Sequence, residues 1–124
     1  MNENDVKEWL MLATHDLDTA KLLIKEKGHA DIIIYHLHQA IEKMLKALLI
    51  KADKPIEKTH FLDKLLTLAL ANYPSLSEIS DLILAINLYL PKLRYPSGDK
   101  ISFDEAVTTF DHFQTIEKVI RKLV

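Results

Sequence analysis

Five polar residues of one predicted helix, His38, Gln39, Glu42, Lys43 and Lys46, project from a single side, with His38, Glu42 and Lys46 following one another at i, i+4 spacing. Two ammonium groups beside an imidazole suit phosphate or the acidic loop of a partner. The competing reading is a solvated face, in which Glu42 and its lysine neighbours form pairs worth about 0.2–0.5 kcal/mol each. Asp16 falls in the same arc of an earlier helix as Trp9, Ala13, Ala20 and Leu23, so a carboxylate stands on a core-facing side and needs a partner there. It is either an anchor that orients a basic residue of a site or a structural ion pair. His60 follows Thr59 at a helix start, and Arg94-Tyr95 precedes Pro96-Ser97-Gly98. Arginine offers a planar fork for phosphate and tyrosine a flat face for a base. No HExxH, glycine-rich phosphate loop or serine-nucleophile motif occurs, and His36 and His38 project about 200° apart on a helix, which disfavours a shared metal.

These residues must be positioned by helices. Only two glycines and four prolines interrupt the 124 residues, leaving segments too long for a series of short strands. The first helix is expected from Asn4 or Asp5 to Gly28, a residue suited to the left-handed conformation past a helix end. The second runs from about Ala30 to Ala52, with Ile33, Ile34, Leu37, Ala40, Ile41, Met44, Leu45, Ala47 and Leu48 on one side. A third, shorter helix ends at Pro74; Ser75 caps a fourth that runs through Leu93, with Pro91 kinking it or ending it early. After the RYPSGDK loop, Ser102 and Glu105 form a capping box that opens a fifth helix. On the fourth helix Ile79, Leu82, Ile83, Ile86 and Leu90 serve the core, while Leu84 and Leu88 fall elsewhere and are expected at the interface of a homodimer. The expected architecture is all-α, an antiparallel up-and-down bundle of about five helices forming a single domain over residues 1–124.

Composition narrows the setting. A hydrophobic fraction of 48% with 27% charged residues excludes a disordered chain. The absence of cysteine removes disulfides, zinc-thiolate sites and thiol nucleophiles, and fits a reducing compartment, so the cytoplasm is expected. No stretch reaches the roughly 18 apolar residues of a membrane span, and the acidic N-terminus is unlike a signal peptide. A net charge of −2 gives no global attraction to nucleic acid.

Three fragments together carry a family resemblance: ATHDLDTAKLLI, then YHLHQAIEKMLKALL, then KTHFLDKLL followed later by LRYPSG. They resemble the HEPN domain (higher eukaryote and prokaryote nucleotide-binding) across almost the whole chain, HQAIEKMLKA being the most specific part. The resemblance implies an up-and-down bundle, commonly dimeric, and often encoded beside a minimal nucleotidyltransferase in a two-component toxin-antitoxin pair. The family's pattern falls on Asp16, Gln39, Glu42, Lys43, Lys46, His60, Arg94 and Tyr95.

Many family members are metal-independent ribonucleases marked by an arginine followed four to six residues later by a histidine. Here the window after Arg94 holds Gly98, Asp99 and Lys100, and the chain ends after Arg121 without a histidine. The expectation is therefore a nonenzymatic module that binds a nucleotide or a nucleotidyltransferase subunit, with no cofactor or metal, through a groove lined by Asp16, Lys43, Lys46, Arg94 and Tyr95. The alternative is an endoribonuclease with RNA as substrate and an atypical site, for which Arg94 and His60 are the catalytic candidates.

Overall fold

The reason this chain folds around its second helix is visible in the distribution of its large aliphatic residues. In the computed structural model, which describes residues 3–56, 58–96 and 100–124, α2 (Ala30–Lys51) buries Ile33, Ile34, Leu37, Ile41, Met44, Leu45, Leu48 and Leu49 almost completely. Around it stand α1 (Glu3–Lys25), α3 (Leu62–Leu70), a 3-10 turn (Pro74–Ile79), α4 (Ser80–Asn87), α5 (Leu90–Arg94) and α6 (Phe103–Arg121). The short connection between α1 and α2 makes them an antiparallel hairpin. From the other side α6 supplies Phe113, Ile116 and Ile120 to the same core. The described residues contain helices and no strand, so the expected all-α bundle holds. None of those helices is long and apolar enough to cross a membrane.

The ends of α1 and α2 are made differently from the sequence expectation. Gly28 does not take the left-handed conformation; Lys27 does, with φ 53°. Lys27 N–H donates to the Ile24 carbonyl (3.2 Å) and Gly28 N–H to the Leu23 carbonyl (2.6 Å), a Schellman ending in which Gly28 is the residue after the left-handed one. Glycine is favoured at position 28 by close approach, since a Cβ there would stand 2.8 Å from Leu23 Cδ2 and 3.3 Å from Leu23 Cβ. The end of α2 repeats the device with Asp53 at φ 58°, Asp53 N–H bonding Ile50 O and Lys54 N–H bonding Leu49 O.

The expected fourth helix is broken into three pieces. Ser75 caps nothing: it lies inside the 3-10 turn that begins at Pro74. The tighter 3-10 winding aligns residues three apart and buries both Leu76 and Ile79. Further on, Pro91 has no N–H for the carbonyl of Asn87 and its ring would clash with that carbonyl. The helix therefore stops at Asn87 and restarts at Leu90 with Pro91 in its first turn. At the end of α4 the Asn87 side chain turns to α3, where its Oδ1 accepts the Leu62 N–H at 2.9 Å and so satisfies one donor at the start of that helix. Ile79, Ile83, Ile86 and Leu90 are buried as expected and Leu82 is half-buried, while Leu84 and Leu88 remain exposed. Ser97, Gly98 and Asp99 of the expected loop lie outside the described residues.

The capping box that opens α6 forms as the sequence suggests. Ser102 Oγ accepts the Glu105 N–H (3.1 Å) and Ser102 N–H donates to Glu105 Oε1 (3.3 Å). Replacing Ser102 by alanine is expected to lower unfolding free energy by about 1 kcal/mol, read from the midpoint of urea denaturation at unchanged m-value.

Candidate functional site

The chemistry-bearing residues of α2 occupy a continuous arc of its surface. At 100° per residue the order around the helix is His38, Glu42, Lys46, Gln39, Lys43 and His36. One edge of this arc meets α1; the other meets the segment before α3 together with α4 and α5.

At the α1 edge Asp16 is buried and gives one carboxylate oxygen to His36 Nδ1 (2.8 Å) and the other to Lys43 Nζ (2.5 Å). His36 and Lys43 are seven residues apart, two turns of one helix, so a single carboxylate joins α1 to both. Both partners keep about a quarter of their side-chain surface, 24% for His36 and 23% for Lys43.

In the middle of the arc the expectation of a solvated face is overturned. His38 is 0%, Glu42 4% and Lys46 7% exposed. Glu42 Oε2 accepts from Lys46 Nζ (3.0 Å), and Glu42 Oε1 lies 3.1 Å from His60 Nδ1. Trp9 of α1 covers the ammonium, with Lys46 Nζ 5.5 Å from its ring centroid. The wedge is closed because both flanking elements lean over it, something the periodicity of α2 alone does not contain. Burying two ions is costly, and here the cost is offset because the carboxylate has a partner on each oxygen and the ammonium has a π-face beside it. Glu42→Ala would leave Lys46 buried without its counter-charge, and is expected to cost about 3–5 kcal/mol of stability in urea denaturation.

His38 stands deeper, and neither of its ring nitrogens has a hydrogen-bond partner among the described residues. The Asn87 carboxamide lies beside it and favours its charged form, but is itself held by Leu62 N–H and directed to Asp63. Burial is the main influence and pushes the imidazole below its ordinary pKa; the Glu42 charge opposes this, and the charges of His60 and Arg94 add to it. A histidine kept neutral in the folded state takes up a proton more readily when unfolded. Stability is therefore full above the unfolded value of about 6.5 and falls as pH drops from there toward the lowered folded value. His38→Leu is expected to flatten that fall and to raise the melting temperature at neutral pH, because an unpaired polar group leaves the interior. Melting curves between pH 5 and 8 check both.

Arg94 ends α5 and is exposed, its charge close enough to bear on His38; Tyr95 follows it, 69% exposed. Among the described residues no carboxylate is paired with Arg94. His60, which lies two residues before α3 and not within it, keeps 56% of its side-chain surface. The structure thus joins Lys46 and His60 through Glu42, keeps Gln39 half-buried between the two edges, and pairs Asp16 with Lys43 at the far edge. Among the described residues no group of three or more His, Asp or Glu is arranged to hold a metal ion.

Sequence reasoning missed a second concavity. A cleft of about 480 Å³ between α4, α5 and α6 is lined by Leu88, Tyr89, Lys92, Glu105, Thr109 and His112 among others. Tyr89 O–H donates to Glu105 Oε2 at 2.8 Å; burial first, then this carboxylate, holds the phenol above its ordinary pKa, while the same bond holds Glu105 below its own. In the sequence, Glu105 was legible only as a cap.

The family model of the HEPN domain matches residues 6–123. The chain belongs to the HEPN family. Among solved structures this HEPN chain is similar to the crystal structure of TT1696 from Thermus thermophilus, with a TM-score of 0.76 and 22% identity over 98% of this chain and 99% of that one. At that identity the likeness shows a shared fold. No curated protein matches the chain. In this HEPN chain, of the residues that carried the resemblance, Asp16 pairs with Lys43 at the α1 edge, Glu42 joins Lys46 and His60, and Arg94 and Tyr95 are exposed at the end of α5.

Proposed function

We propose that this HEPN protein is a nucleotide-binding or partner-binding helical module of the cytoplasm, the companion of a minimal nucleotidyltransferase subunit in a two-component, toxin-antitoxin-like system. The observation that carries the reading is the open edge of the seam. Arg94 is an exposed guanidinium, unpaired among the described residues, followed directly by an exposed aromatic ring at Tyr95. A fork for phosphate oxygens beside a face for a base is the minimum a nucleotide requires. Lys43 and Lys46 contribute less directly than the sequence implied, since each is already committed to a carboxylate. They set the potential behind the site, Asp16 and Glu42 hold them in register, and Gln39 lies between them on the helix. The 124 residues act as one domain and pair as homodimers through Leu84 and Leu88, whose apolar side chains face solvent in the single chain. Sedimentation of Leu88→Asp as a monomer, against a wild-type dimer, tests the pairing.

Titration calorimetry with ATP tests the main reading. Saturable binding is expected, weakened roughly tenfold or more, about 1.4 kcal/mol, by Arg94→Ala. Wild-type protein that binds neither ATP nor a nucleotidyltransferase subunit overturns it.

One observation favours a second reading, a metal-independent endoribonuclease. Glu42 beside His60 Nδ1 favours the tautomer that leaves Nε2 free as an acceptor. An exposed histidine oriented by a carboxylate is a competent general base, and it would take the part of the histidine that the sequence lacks after Arg94. RNA cleavage in the presence of a chelator, lost in both Arg94→Ala and His60→Ala, would select this reading over the first.

A further inference from the structure

We propose that the cleft between α4, α5 and α6 binds a small organic ammonium ion with an apolar body, its charge met by the Asp104 and Glu105 carboxylates and its body laid against Ile86 and the Tyr89 ring. The site stands apart from the nucleotide reading, since Asp16, Gln39, Lys43, Lys46, Arg94 and Tyr95 take no part in its lining.

The cleft follows from where its three helices go. α4 packs on α6, whereas α5, restarted around Pro91, packs on α2. Between them and α6 about 480 Å³ stays open, a volume within the range of small-molecule sites. Its two walls differ in kind. α4 and the turn after it supply Ala85, Ile86 and the Tyr89 ring. Leu88, 78% exposed, stands at the rim; it belongs to the face proposed above for pairing, and the site does not depend on it. From α6 come Glu105, Thr108, Thr109 and His112, spaced i, i+3, i+4 and i+7 and therefore on one face of that helix. A slot with one apolar and one polar wall suits a small amphipathic molecule.

Charge decides which. Tyr89 O–H donates to Glu105 Oε2 at 2.8 Å, while Ser102 N–H and O–H reach Glu105 Oε1 at 3.3 and 3.4 Å. Donors on both oxygens fix this carboxylate and favour its ionised form. A carboxylate has about four acceptor positions, so a further N–H can still be received. Asp104 adds a second negative charge and Lys92 one positive charge, which leaves the lining, with His112 neutral, a surplus of one negative charge. An anion is opposed by that surplus, and a neutral molecule leaves it unmet. A bare metal ion would make no use of the apolar wall, and no group of three His, Asp or Glu among the described residues is arranged to hold one. An ammonium on an apolar body uses both walls: its N–H groups meet the carboxylates, and the face of the Tyr89 ring attracts the same charge.

The test uses 2-phenylethylamine as the probe, against 2-phenylethanol and phenylacetate, which keep the aromatic body and remove or reverse the charge. Each is titrated into the whole chain at pH 7 and followed by amide chemical shifts. The amine should saturate at about millimolar concentration, as a ligand so small must, with shift changes in α4 and the first half of α6. The alcohol should bind roughly tenfold more weakly or worse, and phenylacetate should not bind. Glu105→Gln keeps the capping box, because glutamine serves at the same position, and should weaken the amine by about tenfold. Ala85→Leu fills the cleft from an exposed helical position, leaves every charge in place and should abolish binding. Amine binding undiminished in either variant, phenylacetate bound as tightly as the amine, shift changes centred on α1, or no saturation by the amine each overturns the site. Arg94→Ala, the variant that tests nucleotide binding, should bind the amine as wild type does; loss of amine binding there also overturns the site.

Discussion

One buried carboxylate organises the polar half of this bundle. Glu42 sits on the helix around which the other α-helices pack, and it is bonded on one side to Lys46 of the same helix and on the other to His60 of the segment that leads into α3. Without it the ammonium of Lys46 would be an uncompensated interior charge, and the loop carrying His60 would lose its side-chain tie to α2. The apolar half of α2 needs no such arrangement: its aliphatic residues are satisfied by area alone. The fold therefore divides its second helix into a face specified by volume and a face specified by charge pairing, and the α2 residues of the candidate site lie on the second.

That division explains what could be read from the sequence. The aliphatic face of α2, the hairpin with α1 and the capping box of α6 follow from local rules, periodicity and S-x-x-E, which hold whatever the tertiary context. Burial of His38, Glu42 and Lys46 does not follow from local rules. It depends on Trp9 and on the residues before α3 leaning across the wedge, and a helical wheel of α2 contains no record of either. The fourth helix was legible in part: Pro91 was marked as a breaker and interrupts it, whereas Ser75, expected as its cap, lies inside a 3-10 turn that begins at Pro74. Gly28 was legible as a helix terminus, though its role proved to be steric clearance for Leu23 while Lys27 bears the unusual dihedral.

For the site, residue types were legible and their grouping was not. Asp16 was marked by its position on a core-facing arc, and it is paired as such a carboxylate must be. The packing of α5, which ends in Arg94, against α2 follows the break before Pro91, and the sequence held no record of it. His38 itself looked like one more rung of a charged ladder. Tertiary packing makes it an interior imidazole with no hydrogen-bond partner among the described residues.

The chain's single tryptophan lies over the ammonium of Lys46. The protein therefore carries an intrinsic fluorophore placed against its own polar seam. Any event that shifts the Lys46–Glu42 pair changes the charge beside the indole, and with it the emission wavelength and quantum yield. Occupation of the seam can thus be followed optically in unlabelled protein, with no second tryptophan to confuse the signal.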